Sequence, residues 1–138
     1  DRVHLGIAVS LPGGLVVPVI RDADRRTLGD LHDTAARLVA DARAGKLGPD
    51  DLSGSTFTIS NMGMFGVEQF IAVLNPPQVA ILAVGAIEEK PVVRDGEITA
   101  SPLMSLTLTC DHRAVDGADA ADFLRTVRSM LEEPGLAL

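Results

Sequence analysis

The residues best suited to acid–base chemistry lie in one stretch, residues 109–117, where an apolar strand pattern ends and a helical pattern begins. His112 stands there among charged neighbours, with Asp116 four residues later and Gly117 directly after it. A neutral imidazole can accept a proton from a hydroxyl or a thiol, and functional groups often sit on loops held by rigid elements. The pattern predicts either a general base or a histidine that fixes the loop by hydrogen bonds. Spacing alone leaves both readings open.

The other candidate groups lack the neighbours that chemistry needs. His4 falls in a predicted strand and His32 on a predicted helix, and neither has metal-ligand spacing, so we expect no metal site. Cys110 ends an apolar strand, where a small buried hydrophobic residue is the simpler interpretation. The glycines of residues 63–66 do not match a phosphate-binding loop. Ser60, at the end of its own strand, is on these grounds a plain hydroxyl.

The composition limits the kind of protein and its partners. A length of 138 residues suffices for one domain, and a hydrophobic content of 46% argues against disorder. The net charge is −7 and the 12 Lys and Arg side chains are scattered, which excludes the basic surface of a nucleic-acid binder. No stretch reaches the roughly 20 apolar residues of a membrane span, and the single cysteine cannot form an internal disulfide. We expect a globular cytoplasmic chain, with neither nucleic acid nor a membrane as partner.

The elements that must position His112 follow from the hydrophobic pattern, which predicts one α/β unit. In the first half, Thr27 and Asp30 resemble a capping pair, and the following helix is expected from about Leu28 to Arg43, ending near Gly45. Its apolar stripe consists of Leu28, Leu31, Ala35, Leu38 and Ala42. The predicted strands and breaks are a hairpin of residues 3–10 and 15–20 around 12–14, a strand at 56–60, a tight turn at 63–66, and an apolar run of ambiguous period at 70–74 that ends at 75–77.

The second half is predicted to deliver the histidine loop from a sheet to a helix. Residues 79–87 form a near-continuous apolar run, as expected of a strand covered on both faces. Asp95-Gly96 is a hairpin signal between residues 92–94 and 104–109, with a loop that can exceed two residues. A last helix is expected to start around Gly117 and to end at residues 133–135, with a buried stripe of Ala120, Leu124, Val127 and Leu131.

Four motifs in order resemble the catalytic domains of the dihydrolipoamide acyltransferases, the core components of 2-oxo acid dehydrogenase complexes. They are residues 14–21 (GLVVPVIR), 56–61 (TFTISN), 75–82 (NPPQVAIL) and 111–117 (DHRAVDG). The resemblance covers nearly all of the chain. It implies an α/β fold like that of chloramphenicol acetyltransferase, a mixed β-sheet packed with helices. Residues 1–138 would form a single catalytic domain in an N-terminally shortened version.

The resemblance also implies a reaction and roles for three residues. Members move an acyl group between dihydrolipoamide and coenzyme A, which enters as a substrate, while the lipoyl group is carried on a separate domain. His112 would be the general base, and Ser60 from a neighbouring subunit of a homotrimer would stabilise the oxyanion. Asp116 matches an acidic position that supports the site by pairing with an arginine from elsewhere. A plain helix cap is the alternative for Asp116.

Partners and limits follow from the same resemblance. The trimers would build a larger cubic or dodecahedral core that works with the 2-oxo acid dehydrogenase and dihydrolipoamide dehydrogenase components. Residues 63–67 and 75–78 are most like the pyruvate-complex branch, which favours acetyl over succinyl or branched-chain acyl groups. The family's segment before the opening hairpin, its lipoyl domain and its subunit-binding domain are not in this sequence, so we expect a longer parent protein. An assembly module without catalysis is the alternative function.

Overall fold

A mixed five-stranded sheet organises residues 2–137, the part of the chain that the computed structural model describes. The strand order is β4-β1-β5-β6-β7, parallel where β5 pairs with β1 and β6 and antiparallel at the two outer pairs. The strands are β1 (Leu5–Ile7), β4 (Val19–Ile20), β5 (Phe57–Asn61), β6 (Ala80–Arg94) and β7 (Glu97–Cys110). The predicted α/β class with a mixed sheet is confirmed.

The opening hairpin is present but divides into two pairs of strands. Its tip is a ribbon of β2 (Val9–Leu11) and β3 (Gly14–Val16), while β1 and β4 continue the two arms into the main sheet. One hydrogen bond, from the Ile7 amide to the Pro18 carbonyl at 2.9 Å, spans the break. Pro18 cannot donate a ladder hydrogen bond of its own, which accounts for the interruption.

Helix α1 (Leu28–Arg43) has the predicted bounds because its ends are marked in the sequence. The Thr27 hydroxyl oxygen accepts a hydrogen bond from the Asp30 amide at 3.1 Å, and the chain leaves the helix through Gly45 at a φ of 67°. Leu38 and Ala42 are buried as expected. Leu28 is 72% exposed, so the predicted stripe was wrong in the first turn, which lies beyond the edge of the core.

Residues 67–74, the segment of ambiguous period, run extended across one face of the sheet without joining it as a strand. Phe70, Ala72 and Leu74 pack inward on Ile81 and Ala83 of β6, whereas the two alternate residues, Ile71 and Val73, are exposed. The period of this segment is therefore two. Short 3₁₀ helices lie at Ala23–Arg25, Pro49–Leu52, Gly63–Phe65 and Pro134–Ala137.

The hairpin of β6 and β7 is longer and tighter than predicted. Its loop is only Asp95 and Gly96, with φ values of 53° and 84°, as a two-residue turn of the mirror-image type requires. β7 begins at Glu97, seven residues before the predicted start. Pro91 and Pro102 hid this extension, since proline argues against a strand interior in a sequence pattern.

Helix α2 (Gly117–Glu132) covers the opposite face of the sheet from residues 67–74. Its bounds agree with the prediction, and Phe123 packs on Phe57 of β5 with ring centroids 5.7 Å apart. Ala120, Leu124 and Val127 are half-buried, but Leu131 is 55% exposed, so the last member of the predicted stripe was wrong. Of the described side chains of α2, none is fully buried.

A close backbone contact fixes residues 67–74 to the sheet where β6 is irregular. The pairing of β6 with β7 shifts register between Val84 and Ile87, and the Ala86 amide donates to the Val67 carbonyl at 2.8 Å. A Cβ on Gly85 would lie 1.9 Å from the carbonyl oxygen of Glu68. Only glycine permits this approach of the two backbones.

Replacing Gly85 should therefore destabilise the fold. Gly85→Ala forces the two backbones apart and breaks the hydrogen bond between Ala86 and Val67, so we expect a loss of about 2 to 4 kcal/mol in the free energy of unfolding. Urea denaturation of the intact protein measures it. Gly29→Ala, in the first turn of α1 with only an ordinary contact near its Cβ, is the control and should stay within about 1 kcal/mol of the original. Equal stability of the two variants would contradict the close contact.

Candidate active site

Asp111, not His112, fixes the loop between β7 and α2. The Asp111 amide donates to the Val79 carbonyl at 2.8 Å, and two later amides of the loop donate to the carbonyl of Asp111. Its carboxylate accepts three side-chain hydrogen bonds from Arg113, at 2.9 and 3.1 Å from Nε and 2.6 Å from Nη2. Among the described residues, none forms a side-chain hydrogen bond with His112, which is exposed. The loop-fixing interpretation of His112 therefore has no contact to support it.

The electrostatics of the loop also centre on Asp111. The hydrogen bonds from the Arg113 side chain and then from the Arg113 amide lower the pKa of Asp111 to about 2. The Asp111 carboxylate in turn raises the pKa of Arg113. Both side chains are thus charged at neutral pH directly on either side of His112. Burial raises the pKa of the Cys110 thiol, so this half-buried cysteine stays protonated, as expected of a structural residue.

Asp116 caps helix α2 from the other end of the same loop. Its Oδ1 accepts hydrogen bonds from the amides of Ala118 and Asp119, both at 2.9 Å. Two otherwise unpaired donors of the first helical turn are satisfied in this way. Within residues 2–137, Asp116 forms no ion pair with an arginine. The helix cap is therefore the contact that the Asp116 side chain makes within the described residues.

Ser60 is half-buried on β5, at the border of two cavities. In the register of the sheet it lies level with Ala83 of β6 and, through it, with Thr107 of β7. The smaller cavity has a volume of about 400 Å³, and of the described residues that line it none is charged. Its walls include Thr58, Phe70, Ala72, Val73, Leu74 and Asn75. The larger, of about 480 Å³, is bordered by α1 and the turn at Gly63–Phe65, with Arg43 as its charged side chain.

One chain does not bring Ser60 and His112 together. Cys110 pairs with Ala80, whereas Ser60 is level with Ala83, and His112 lies two residues beyond Cys110. With strands about 4.8 Å apart and a rise of about 3.3 Å per residue, the two sites are separated by roughly 10 Å across the sheet and about 16 Å along it. A hydrogen bond to a shared substrate needs a second copy of one of them.

The remaining candidates have structural surroundings. His4 Nδ1 accepts a hydrogen bond from the Asp22 amide at 3.0 Å, and His32 is exposed on α1. Across the described chain, no three His, Cys, Asp or Glu side chains gather as metal ligands would. Within the described residues, neither α-helix is long and apolar enough to cross a bilayer.

Sequence reasoning missed two sets of polar contacts near the site. The pair of Asp111 and Arg113 had a signal in the sequence, namely opposite charges two residues apart in a loop. The second set, a buried hydrogen-bonded chain of Ser55, Gln78 and Thr58, joins residues 20 or more positions apart and left no local signal.

Comparison with known proteins places the chain among enzymes of one type. The model of the 2-oxoacid dehydrogenases acyltransferase family (catalytic domain) matches residues 1–138. An acetyltransferase component of the acetoin cleaving system of Bacillus subtilis is 50% identical over 96% of this chain. A probable succinyltransferase component of the Schizosaccharomyces pombe 2-oxoglutarate dehydrogenase complex is 46% identical over all of it. The chain spans about a third of the length of these curated relatives, 33% and 30% respectively.

Solved structures agree with the sequence comparison. The dihydrolipoamide acetyltransferase of Azotobacter vinelandii superposes with a TM-score of 0.91 at 42% identity, covering 96% of this chain and 55% of that one. Crystallographic and enzymatic work on it concerns the catalytic roles of a serine, a histidine 52 residues later, and an asparagine four residues after the histidine. The cubic core of a pyruvate dehydrogenase complex matches at 41% identity with a TM-score of 0.91, over 96% of this chain and 55% of its own.

The family model covers the whole chain, and the fold as a whole agrees with the solved relatives. The chain belongs to the 2-oxoacid dehydrogenase acyltransferases, within their catalytic domain.

Proposed function

We propose that this chain carries the two halves of an active site that moves an acyl group between dihydrolipoamide and coenzyme A. The observation that supports the proposal is the spacing of three residues along the sequence. Ser60 precedes His112 by 52 residues and Asp116 follows it by four, the same intervals as between the serine, histidine and asparagine of the Azotobacter enzyme. Aspartate stands here in place of asparagine, and an oxygen of either side chain can cap the helix.

His112 is the proposed general base of the reaction. Its exposed imidazole, free of hydrogen bonds to the described residues, can accept the proton of the attacking thiol. The thiolate then forms a bond to the thioester carbonyl carbon, and the negative charge passes to the carbonyl oxygen. When the tetrahedral intermediate collapses, the carbon–sulfur bond to the leaving thiol breaks and the imidazolium returns the proton to it. The backbone hydrogen bonds of Asp111 hold the loop while the proton moves.

Ser60 is the proposed donor to the oxyanion. A hydroxyl aimed at the developing charge stabilises the intermediate in a site shielded from water. Ser60 meets this requirement in part, because it is half-buried and lines both cavities. The uncharged smaller cavity beside it suits an acetyl group, since burying the carboxylate of a succinyl group without a partner is costly.

The separation of Ser60 and His112 supports a site built between subunits. A head-to-tail contact repeated around a threefold axis closes a homotrimer and gives every interface one Ser60 and one His112. Trimers of this kind can build a cubic or dodecahedral core, and a 41% identical relative is the cubic core of a pyruvate dehydrogenase complex. We further propose that the dehydrogenase and dihydrolipoamide dehydrogenase components bind such a core. The lipoyl group then reaches the site on a separate domain.

Substitution of the proposed site residues in the full-length protein tests their roles. We expect His112→Ala to reduce acetyl transfer from acetyl-coenzyme A to dihydrolipoamide by about 10² to 10⁴, and Ser60→Ala by about 10² or more. Asp116→Ala should cost less, about tenfold, because it loosens the helix cap behind the loop rather than a reacting group. His32→Ala, exposed on α1, is the control and should keep the original rate. Normal turnover of His112→Ala would refute the mechanism.

Mixed assemblies test whether the site lies between chains. Two inactive variants, Ser60→Ala and His112→Ala, are co-expressed in equal amounts. Random assembly then places an intact Ser60 opposite an intact His112 at about one interface in four, so roughly a quarter of the activity should return. No recovery in assemblies shown by native mass spectrometry to be mixed would mean that both residues act within one chain. If assemblies of the unsubstituted protein transfer no acyl group, the alternative function of an inert assembly module is favoured.

The acyl preference is measured with a series of coenzyme A thioesters. Acetyl-coenzyme A should be used with a kcat/KM at least about tenfold above that of succinyl-coenzyme A, given the cost of burying a carboxylate in the uncharged cavity. Isobutyryl-coenzyme A is the control for size, since it is branched but uncharged. A succinyl rate equal to the acetyl rate would show that the smaller cavity does not receive the acyl group.

A further inference from the structure

Three polar side chains, the buried Thr58 and Gln78 and the half-buried Ser55, form a hydrogen-bonded series beside the smaller cavity. Thr58 is fully buried and Gln78 is 8% exposed. The Thr58 hydroxyl donates to Gln78 Oε1 at 2.7 Å, and Gln78 Nε2 donates to the Ser55 hydroxyl at 2.6 Å. The neighbouring strand leaves space for the Thr58 side chain because it carries glycine at position 6, where a Cβ would lie 2.8 Å from Thr58 Oγ1. The arrangement is therefore built into the sheet and is not a surface contact.

Thr58, at one end of this hydrogen-bonded series, lies on the same strand as Ser60. Thr58 and Ser60 are two residues apart on β5, so their side chains lie on the same face of the sheet. Both line the smaller cavity, together with Asn75, which begins the loop that carries Gln78. The Gln78 side chain thus ties the strand of Ser60 to the opposite wall of that cavity.

Gln78, the middle member of the three, lies next to the residue that anchors the histidine loop. Val79 follows Gln78 directly, and its carbonyl accepts the hydrogen bond from the amide of Asp111, the residue before His112. Residues 76 and 77 are prolines, which have no amide hydrogen, so they cannot anchor this loop by donation. The Gln78 amide donates to the Asn75 carbonyl within the loop itself, at 3.1 Å. The side chain of Gln78 therefore adds a direct hydrogen bond from this loop to β5, next to the point where β6 begins to pair with β5.

We propose that Gln78 is a positioning residue for the acyl transfer, which sets Ser60 and the anchor of the His112 loop from a single buried point. The inference rests on the proposed function of Ser60 and His112. A carboxamide suits the task because it accepts with one atom and donates with another, and both are used here. Methionine has a similar length but would leave the hydroxyls of Thr58 and Ser55 without partners. Gln78 is not among the residues described as lining either cavity, so its proposed effect is on orientation.

The test compares kcat with KM in the full-length protein. Gln78→Met should lower kcat about tenfold to a hundredfold, because small displacements of positioned groups slow the chemical step, while KM for acetyl-coenzyme A and for dihydrolipoamide stays within about threefold. Thr58→Val removes the donor with little change of shape and should lower kcat in the same direction. It also serves if Gln78→Met fails to fold. Measurements are made well below the Tm of each variant.

A matched control separates positioning from general stability. Leu38→Ala removes a buried side chain of α1 that itself lines neither described cavity, so it should lower Tm while kcat stays unchanged. If Gln78→Met and Thr58→Val lower Tm but keep kcat within about twofold of the original, as Leu38→Ala should, the network is only structural and the inference is wrong. Failure of the unsubstituted protein to transfer any acyl group would instead overturn the proposed function.

Discussion

The pairing of β5 with β6 is the constraint on which the rest of the molecule depends. Because these strands are parallel and β7 is antiparallel to them, Ser60 lies towards the C-terminal end of β5, whereas the loop that leaves β7 lies beyond the N-terminal end of β5. No change of side-chain rotamer can close that distance. The register therefore makes the separation of Ser60 and His112 a property of the fold, and this separation is the reason that the proposed site is placed between two copies.

The two faces of the sheet serve different purposes. On one face, α2 packs through Phe123, and its start is fixed by the Asp116 cap, so the histidine loop is held between a strand and a capped helix. On the other face, residues 67–74 form the wall of the cavity beside Ser60. Their position depends on the contact at Gly85, where two backbones meet without a side chain between them. Packing on one face thus positions the histidine loop, and packing on the other face positions the cavity beside Ser60.

Local signals predicted elements well and long-range contacts poorly. The bounds of α1 followed from Thr27 and Gly45, because caps and left-handed glycines act within one turn. The extension of β7 back to Glu97 escaped prediction, since its stability comes from pairing with β6 rather than from its own residues. His112 stood out by its neighbours, but Ser60 was assigned only by family resemblance. The hydrogen bonds of Gln78 depend on residues brought together by the fold, so no pattern in the sequence marked them.

The prolines of the β6–β7 ribbon have a consequence beyond shape. A 14-residue strand at the edge of a sheet presents unpaired amides and carbonyls, and such an edge can template the growth of intermolecular sheets. Pro91 and Pro102 each remove one amide donor from the part of the ribbon that extends past the five-stranded sheet, and Pro102 lies on the edge strand itself. Each missing donor leaves the exposed ribbon less able to pair with the strand edge of another molecule, which limits unwanted sheet growth where the strands are least covered.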